Sequence, residues 1–234
     1  MPDYLSGELE PMALAHNYYR WIIRGFRPHL GKVVCELGAG IGTFSALLLE
    51  EDIHQLIVVE PAHNLLACLR DRFTAEGRVR VVDGGVEAHA DRLREGRVDT
   101  IIGVNVLEHI ADDCRTLAAI AKVLPSGGKL LLFVPALPWL FGSLDVAFGH
   151  WRRYCKVELE KKVTEVGFQI LDLKFMNFPG LVSWFVAGRI LRSRTISPRM
   201  VRFYDRWVVP IVTVIEGRVT APVGPSLMLI AQLA

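Results

Sequence analysis

From residue 32 onward the chain alternates short, nearly unbroken apolar runs with longer stretches of mixed polarity. The runs are Lys32-Val-Val-Cys-Glu-Leu37, Gln55-Leu-Ile-Val-Val-Glu60, Arg78-Val-Arg-Val-Val-Asp83, Asp99-Thr-Ile-Ile-Gly-Val-Asn105 and Lys129-Leu-Leu-Leu-Phe-Val134. Each has the length of a strand buried on both faces. Between them the pattern predicts helices, including one over roughly 42–50 and one over 62–76 with Leu65, Leu66 and Leu69 on its apolar side. Residues 1–30 read as helical, with Tyr18, Tyr19, Trp21 and Phe26 as aromatic anchors. After residue 134 the rhythm changes to an aromatic-rich connection over 135–155 and a helix over about 156–166. A sixth strand at Phe168–Phe175 and a last one at Leu227-Met-Leu-Ile-Ala-Gln232 follow, separated by a long segment. Strands alternating with helices predict a parallel sheet covered on both faces. Right-handed crossovers make it doubly wound, with the ligand crevice at the C-terminal strand ends.

Composition narrows the class. Apolar residues are 51% and charged residues 22% of the chain, which suits a folded α/β protein with a full core. A net charge of +2 with no basic run argues against nucleic acid as a partner. No uncharged apolar run approaches the roughly 18 residues of a membrane span. Cys35, Cys68, Cys114 and Cys155 are widely spaced, so neither a disulfide frame nor a zinc site is expected. The opening residues lack the basic start and apolar centre of a secretion signal, and a cytoplasmic location is expected.

The chemistry gathers at the strand ends. Gly38, Gly40 and Gly42 follow the first strand and permit a tight turn with close ligand approach. A dinucleotide fingerprint needs a third glycine where Thr43 stands, and Glu36 before the loop suits an ammonium group better than a pyrophosphate. Glu60 ends the second strand, where a carboxylate accepts from both hydroxyls of a ribose. Asp83-Gly84 ends the third, where an acid accepts from an adenine amino group, and Asn105 ends the fourth. With these residues the chain resembles the class I S-adenosylmethionine-dependent methyltransferases. The matching text is Val34-Cys-Glu-Leu-Gly-Ala-Gly-Ile-Gly-Thr-Phe44, Val58-Val-Glu-Pro61, Asp83-Gly84, Asn105-Val-Leu-Glu-His-Ile110 and Leu124-Pro-Ser-Gly-Gly-Lys129, over about residues 15–175. The resemblance implies a Rossmann-like α/β fold with a mostly parallel seven-stranded sheet and S-adenosyl-L-methionine as cofactor. It implies Glu36, Gly38, Ala39, Gly40, Glu60, Pro61, Asp83, Gly84, Asn105 and Tyr18 as cofactor contacts. The rival readings are a nicotinamide-dependent oxidoreductase and a non-catalytic S-adenosylmethionine-binding protein.

A second constellation, Gly142-Ser-Leu-Asp145 and Gly149-His-Trp-Arg-Arg-Tyr154, follows the fifth strand. With Asn177-Phe-Pro-Gly180 and Pro222-Val-Gly-Pro-Ser226 it resembles a bacterial small-molecule subgroup of these enzymes, in which this stretch forms a loop over the acceptor site. His150, Tyr154 and His109 are the expected catalytic residues, with His150 suited to proton transfer near neutrality. Arg152 and Arg153 are expected to bind an anionic group of the acceptor, joined by Trp139, Trp151 and Asn177. The competing reading pairs the arginines with acids such as Asp145 and makes Glu108 and His109 a helix start. Ligand spacing marks no metal set.

The expected organisation is an N-terminal helical segment over the cofactor site (1–30), a cofactor-binding core (31–175), a helical cap insertion (176–225) and a final strand (226–234). The cap carries Arg189, Arg192, Arg194, Arg199, Arg202 and Arg206 beside apolar stretches ending in Trp207-Val-Val-Pro-Ile-Val-Thr-Val-Ile215. Such a long connection suggests a roof over a partly hydrophobic small-molecule acceptor. The same faces are compatible with packing on the sheet, a homodimer, or peripheral membrane contact.

Overall fold

Seven strands build one sheet in the computed structural model, which describes Tyr4 and residues 7–234. They are β1 (Val33–Leu37), β2 (Gln55–Glu60), β3 (Val79–Asp83), β4 (Thr100–Val104), β5 (Lys129–Pro135), β6 (Phe168–Met176) and β7 (Ser226–Leu233), in the order β3-β2-β1-β4-β5-β7-β6. The first five pair in parallel. β7 runs antiparallel between β5 and β6.

Helices α1 (Leu9–Met12) and α2 (His16–Phe26) precede the sheet; α3 (Thr43–Leu48), α4 (His63–Arg72), α5 (Val86–Glu95) and α6 (Asp113–Val123) make its crossovers. Beyond β5 come α7 (Ser143–Ala147) and α8 (Lys156–Glu165). Alternation along each strand divides the core between two layers. On β5, Leu130, Leu132 and Val134 join α5, α6 and α8 on one face, while Leu131 and Phe133 join α2 and α3 on the other. The strand order reverses between β1 and β4, which opens a crevice at their C-terminal ends.

β6 and β7 are antiparallel neighbours that a two-residue turn would serve. The chain instead inserts α9 (Phe178–Phe185), α10 (Pro198–Phe203) and α11 (Val209–Glu216), with π-helical turns at Val186–Ile190 and Tyr204–Val208. Topology does not require this insertion, so its reason lies elsewhere. Its acidic residues tie it to α2 and close it on its own first turn. Asp205 accepts from the backbone N–H groups of Asn17 (3.1 Å) and Tyr18 (2.8 Å), capping α2 from far along the sequence. Glu216 accepts from the N–H groups of Asn177 (3.0 Å) and Phe178 (2.9 Å), capping α9.

The helical N-terminal region divides among its described residues into α1 and α2, and α2 starts at the Asp205 cap. The helices expected over 42–50 and 62–76 are shorter, at Thr43–Leu48 and His63–Arg72. No helix among the described residues is long and apolar enough to cross a membrane.

Candidate active site

A single cavity of about 1380 Å³ runs along the strand ends. That exceeds the roughly 300–1,000 Å³ of a one-ligand pocket, so two molecules fit side by side. Its first half is built on the glycine loop. Gly38, Gly40 and Gly42 all adopt left-handed backbone, at φ +64°, +58° and +77°. A Cβ on Gly38 would stand 2.6 Å from Val106, and one on Gly40 3.1 Å from Leu9 of α1. The loop is clamped by Glu60, whose carboxylate accepts from the N–H of Gly40 at 2.7 Å and of Ala62 at 2.8 Å.

Glu36 on β1 faces this half and is only 3% exposed. Its Oε2 has no hydrogen-bond partner. Burial, then the nearby charge of Glu60, pushes its carboxyl up to about 7. A buried acid without a cation is poorly placed until a positive ligand group arrives. The glycine-rich loop and the acid with an unpartnered oxygen therefore fit a ligand that combines an ammonium group with a bulky body. Ala39, Pro61, Gly84, Asn105 and Tyr18 also line the cavity. Asn105 stands at φ +52°, its N–H bonded to the Phe133 carbonyl at 2.8 Å. Tyr18 packs edge-on against Phe133, 6.0 Å between ring centres. Asp83 does not line the cavity, and its carboxylate lies 3.7 Å from the His63 ring.

The second half is formed by the chain after β5 and by the insertion. Residues 149–154 are pinned against the chain that follows β4. The N–H of Trp151 donates to the Glu108 carbonyl (2.8 Å), the hydroxyl of Tyr154 to the Leu107 carbonyl (3.2 Å), and Arg152 to the Ala111 carbonyl (2.5 Å). His150 is thereby brought beside His109, with ring centres 4.7 Å apart at 89°. Asp145, fully buried, organises the group. Its Oδ1 meets His150 Nδ1 at 2.9 Å and Arg153 Nε at 2.7 Å; its Oδ2 accepts from the Gly142 N–H at 2.9 Å and the Trp184 indole at 3.3 Å. Burial alone would raise the Asp145 carboxyl, but His150 and Arg153 hold it below the usual carboxylate range. Glu108, equally buried, has no hydrogen-bond partner on either oxygen, and burial pushes it up to about 8. Burial pulls His109 down to about 3, leaving a neutral imidazole.

Of the residues expected on the acceptor side, His109, His150, Arg153 and Asn177 line the cavity. The others do not. Tyr154 is completely buried in the core, its hydroxyl bound to Asp113 at 2.8 Å, which rules out a role in orienting a nucleophile. Arg152 turns away to Asp113 at 2.9 Å. Arg153 reaches the wall, but its guanidinium is spent on Asp145 and on the Ala136 carbonyl at 3.0 Å, and it lies 4.7 Å over the Trp184 ring. Trp139 and Trp151 are 56% and 64% exposed and point outside. The competing reading, arginines paired with acids, is what the fold adopts. Sequence reasoning missed Leu9, Met12, Phe148 and Tyr204 as wall residues. Nothing local marks them, since each reaches the cavity only through long-range packing.

A family description, "Methyltransferase domain", matches residues 14–173. A ubiquinone biosynthesis O-methyltransferase of Erwinia tasmaniensis is 27% identical over 127 residues, covering 54% of this chain and 52% of that protein. A highly reducing polyketide synthase of Strobilurus tenacellus is 25% identical over 163 residues, covering 58% of this chain and 6% of that protein. The chain thus spans about half the length of the first and a small part of the second. Among solved structures, an S-adenosylmethionine-dependent methyltransferase of Archaeoglobus fulgidus superposes with a TM-score of 0.62 at 17% identity, covering 94% of this chain and 93% of that one. This likeness speaks to the fold.

Proposed function

The chain belongs to the S-adenosylmethionine-dependent methyltransferases, and on that footing we propose that it methylates a small, partly hydrophobic acceptor held beneath its helical insertion. The nicotinamide alternative falls with that membership. S-adenosylmethionine, when bound, supplies a methyl group already made electrophilic by its sulfonium. In our reading Glu36 takes the ammonium, Glu60 the ribose hydroxyls, and Gly38 to Gly40 let the ligand body lie on the backbone. Asn105 marks the boundary between the two halves of the cavity. His109 and His150 are the polar groups that meet the acceptor.

One observation carries the reading: the orphaned acid of the glycine loop and the paired imidazoles open into the same cavity. Holding an acceptor in line with the methyl carbon is worth roughly 7–11 kcal/mol, so the walls that position it matter more than any single base. Those walls are largely apolar, with Leu144, Phe148, Trp184 and Met200 among them. Arg152 and Arg153 are committed to Asp113 and Asp145, so neither is free to hold an anionic group on the acceptor.

The cap's outer face supports a further element of the proposal. Phe203, Trp207, Ile211 and Val214 are more than half exposed, beside Arg199, Arg202 and Arg206. Apolar side chains flanked by arginines suit the surface of an anionic bilayer, from which an apolar acceptor would be drawn.

Incubating the protein with methyl-labelled cofactor and cell extract, then partitioning between water and organic solvent, tests the acceptor class. Label is expected in the organic phase. Label confined to water-soluble products would overturn the hydrophobic acceptor while leaving methyl transfer intact.

A further inference from the structure

The geometry points to a divalent transition-metal site formed by Glu108, His109 and His150, opening onto the acceptor half of the cavity. One ligand atom from each of these residues lies within 4.8 Å of the other two, and His150 Nε2 is 4.0 Å from Glu108 Oε1. Some point therefore lies within about 2.8 Å of all three atoms. Sub-ångström side-chain rotation shortens that to the roughly 2.1 Å of a metal bond to nitrogen or carboxylate oxygen.

The contrast between two buried acids carries the inference. Asp145 and Glu108 are both 0% exposed and both lie against His150. Asp145 is fully served, by the His150 ring, Arg153, the Gly142 N–H and the Trp184 indole. Neither oxygen of Glu108 has a hydrogen-bond partner among the described residues. A buried carboxylate left so is expensive, and folds supply such a group with a donor or a cation. Among the described residues no side chain donates to it, and two imidazoles face it.

His150 is also set up as a ligand. Its Nδ1 lies 2.9 Å from the Asp145 carboxylate, which favours the proton on that nitrogen and turns the Nε2 lone pair toward Glu108. A carboxylate behind a histidine in this way is the usual outer support of a metal-bound imidazole. Asp145 is itself anchored by Arg153, so the support is rigid. Two imidazoles and one carboxylate form a mixed nitrogen and oxygen set that suits zinc, cobalt, iron or manganese rather than magnesium or calcium. Three protein ligands leave at least one position open, and His109 and His150 both border the cavity. The ligand for that position is an oxygen of the acceptor, which the ion would orient and make more acidic. Only this role, and not the ion's binding, rests on the methyl-transfer reading. His150 is then a ligand rather than a free base.

The test uses the full chain, stripped with chelator and desalted, titrated with Co²⁺ and followed by visible absorption. S-adenosylhomocysteine calorimetry is run on the same samples. One equivalent of Co²⁺ should bind with ligand-field bands, Zn²⁺ should abolish them, and Zn²⁺ should raise the thermal midpoint. Glu108→Gln and His109→Asn should each weaken Co²⁺ binding by more than about 100-fold while folded, and Arg152→Ala should not. Folded wild-type protein that takes up no Co²⁺ at high-micromolar concentration would overturn the site, as would Glu108→Gln binding it unchanged. Unaltered S-adenosylhomocysteine binding in that sample would confine the failure to the metal. Loss of S-adenosylhomocysteine binding with Co²⁺ retained would instead strike the methyl-transfer reading and leave the site standing.

Discussion

Replacing Glu36 by glutamine should make the cofactor-free protein more stable as pH rises, while crippling its hold on the cofactor. The wild-type carboxyl sits at about 7 in the fold, against an ordinary value of 4.5. Below the lower value the group is protonated whether the chain is folded or not, and nothing is lost. As pH rises through the interval the unfolded chain ionises while the folded one holds its proton. Stability then falls by about 1.4 kcal/mol per pH unit, reaching a deficit of about 3 kcal/mol above the folded pKa. Glutamine has no such deficit. Its buried amide carries a cost of about 1–3 kcal/mol that does not vary with pH, so the slope is the diagnostic quantity. Urea unfolding of both proteins at pH 5, 6, 7 and 8 should show the difference in favour of the variant growing by 2–3 kcal/mol across the range. S-adenosylhomocysteine affinity should move the opposite way. Losing a charged hydrogen-bond partner for the ammonium costs about 1.5–3 kcal/mol, or roughly 10–100-fold. In the wild type that affinity should weaken as pH falls below about 7 and Glu36 takes up its proton; in the variant it should be flat. A stability difference that does not change with pH would refute the assignment of Glu36 as a desolvated acid awaiting a cation.

Other residues make contrasting predictions. Tyr154→Phe removes a buried hydroxyl from Asp113 and should cost about 1 kcal/mol in urea unfolding with turnover nearly unchanged, since the ring stays in the core. Arg153→Met leaves Asp145 buried without its cation and should cost about 3–5 kcal/mol, read as a lower urea midpoint, the mark of a structural arginine rather than a substrate clamp. The protein should co-sediment with vesicles containing anionic lipid but not with neutral ones. A Trp207→Ser, Phe203→Ser double variant should lose most of that binding; co-sedimentation unchanged by the variant would remove the cap from the interface, and a dimer dissociated by it would assign the face to self-association.

Much of the cofactor half was legible along the chain because its signals are local. Strand, glycine turn and helix start occupy one short segment, so Glu36, Gly38 and Gly40 reveal their geometry by spacing. Glu60 and Asn105 follow from the rule that strand ends face the crevice. Even there the fold added something: Glu60 clamps Gly40 and Ala62, and Asp83 does not line the cavity. The acceptor half was legible in residue type but not in role. Gly149-His-Trp-Arg-Arg-Tyr154 announces a functional loop, yet its contacts with distant segments send His150 to the cavity, Trp151 to solvent, Arg153 to Asp145 and Tyr154 into the core.

What the sequence determined unaided is therefore the parallel sheet, the position of its crevice and the class of ligand bound at the glycine loop. The sheet and its crevice rest on periodicity, and the ligand class rests on the polar residues at successive strand ends and the family resemblance they carry. The tertiary structure alone decided which charges are neutralised and which are left wanting. Asp145 and Glu108 look alike in the chain, and both are buried. One is surrounded by donors from the insertion and the loop after β5, while the other meets only two imidazoles. That difference arises because desolvation and hydrogen-bond partners are properties of packing between distant segments, which no local pattern encodes.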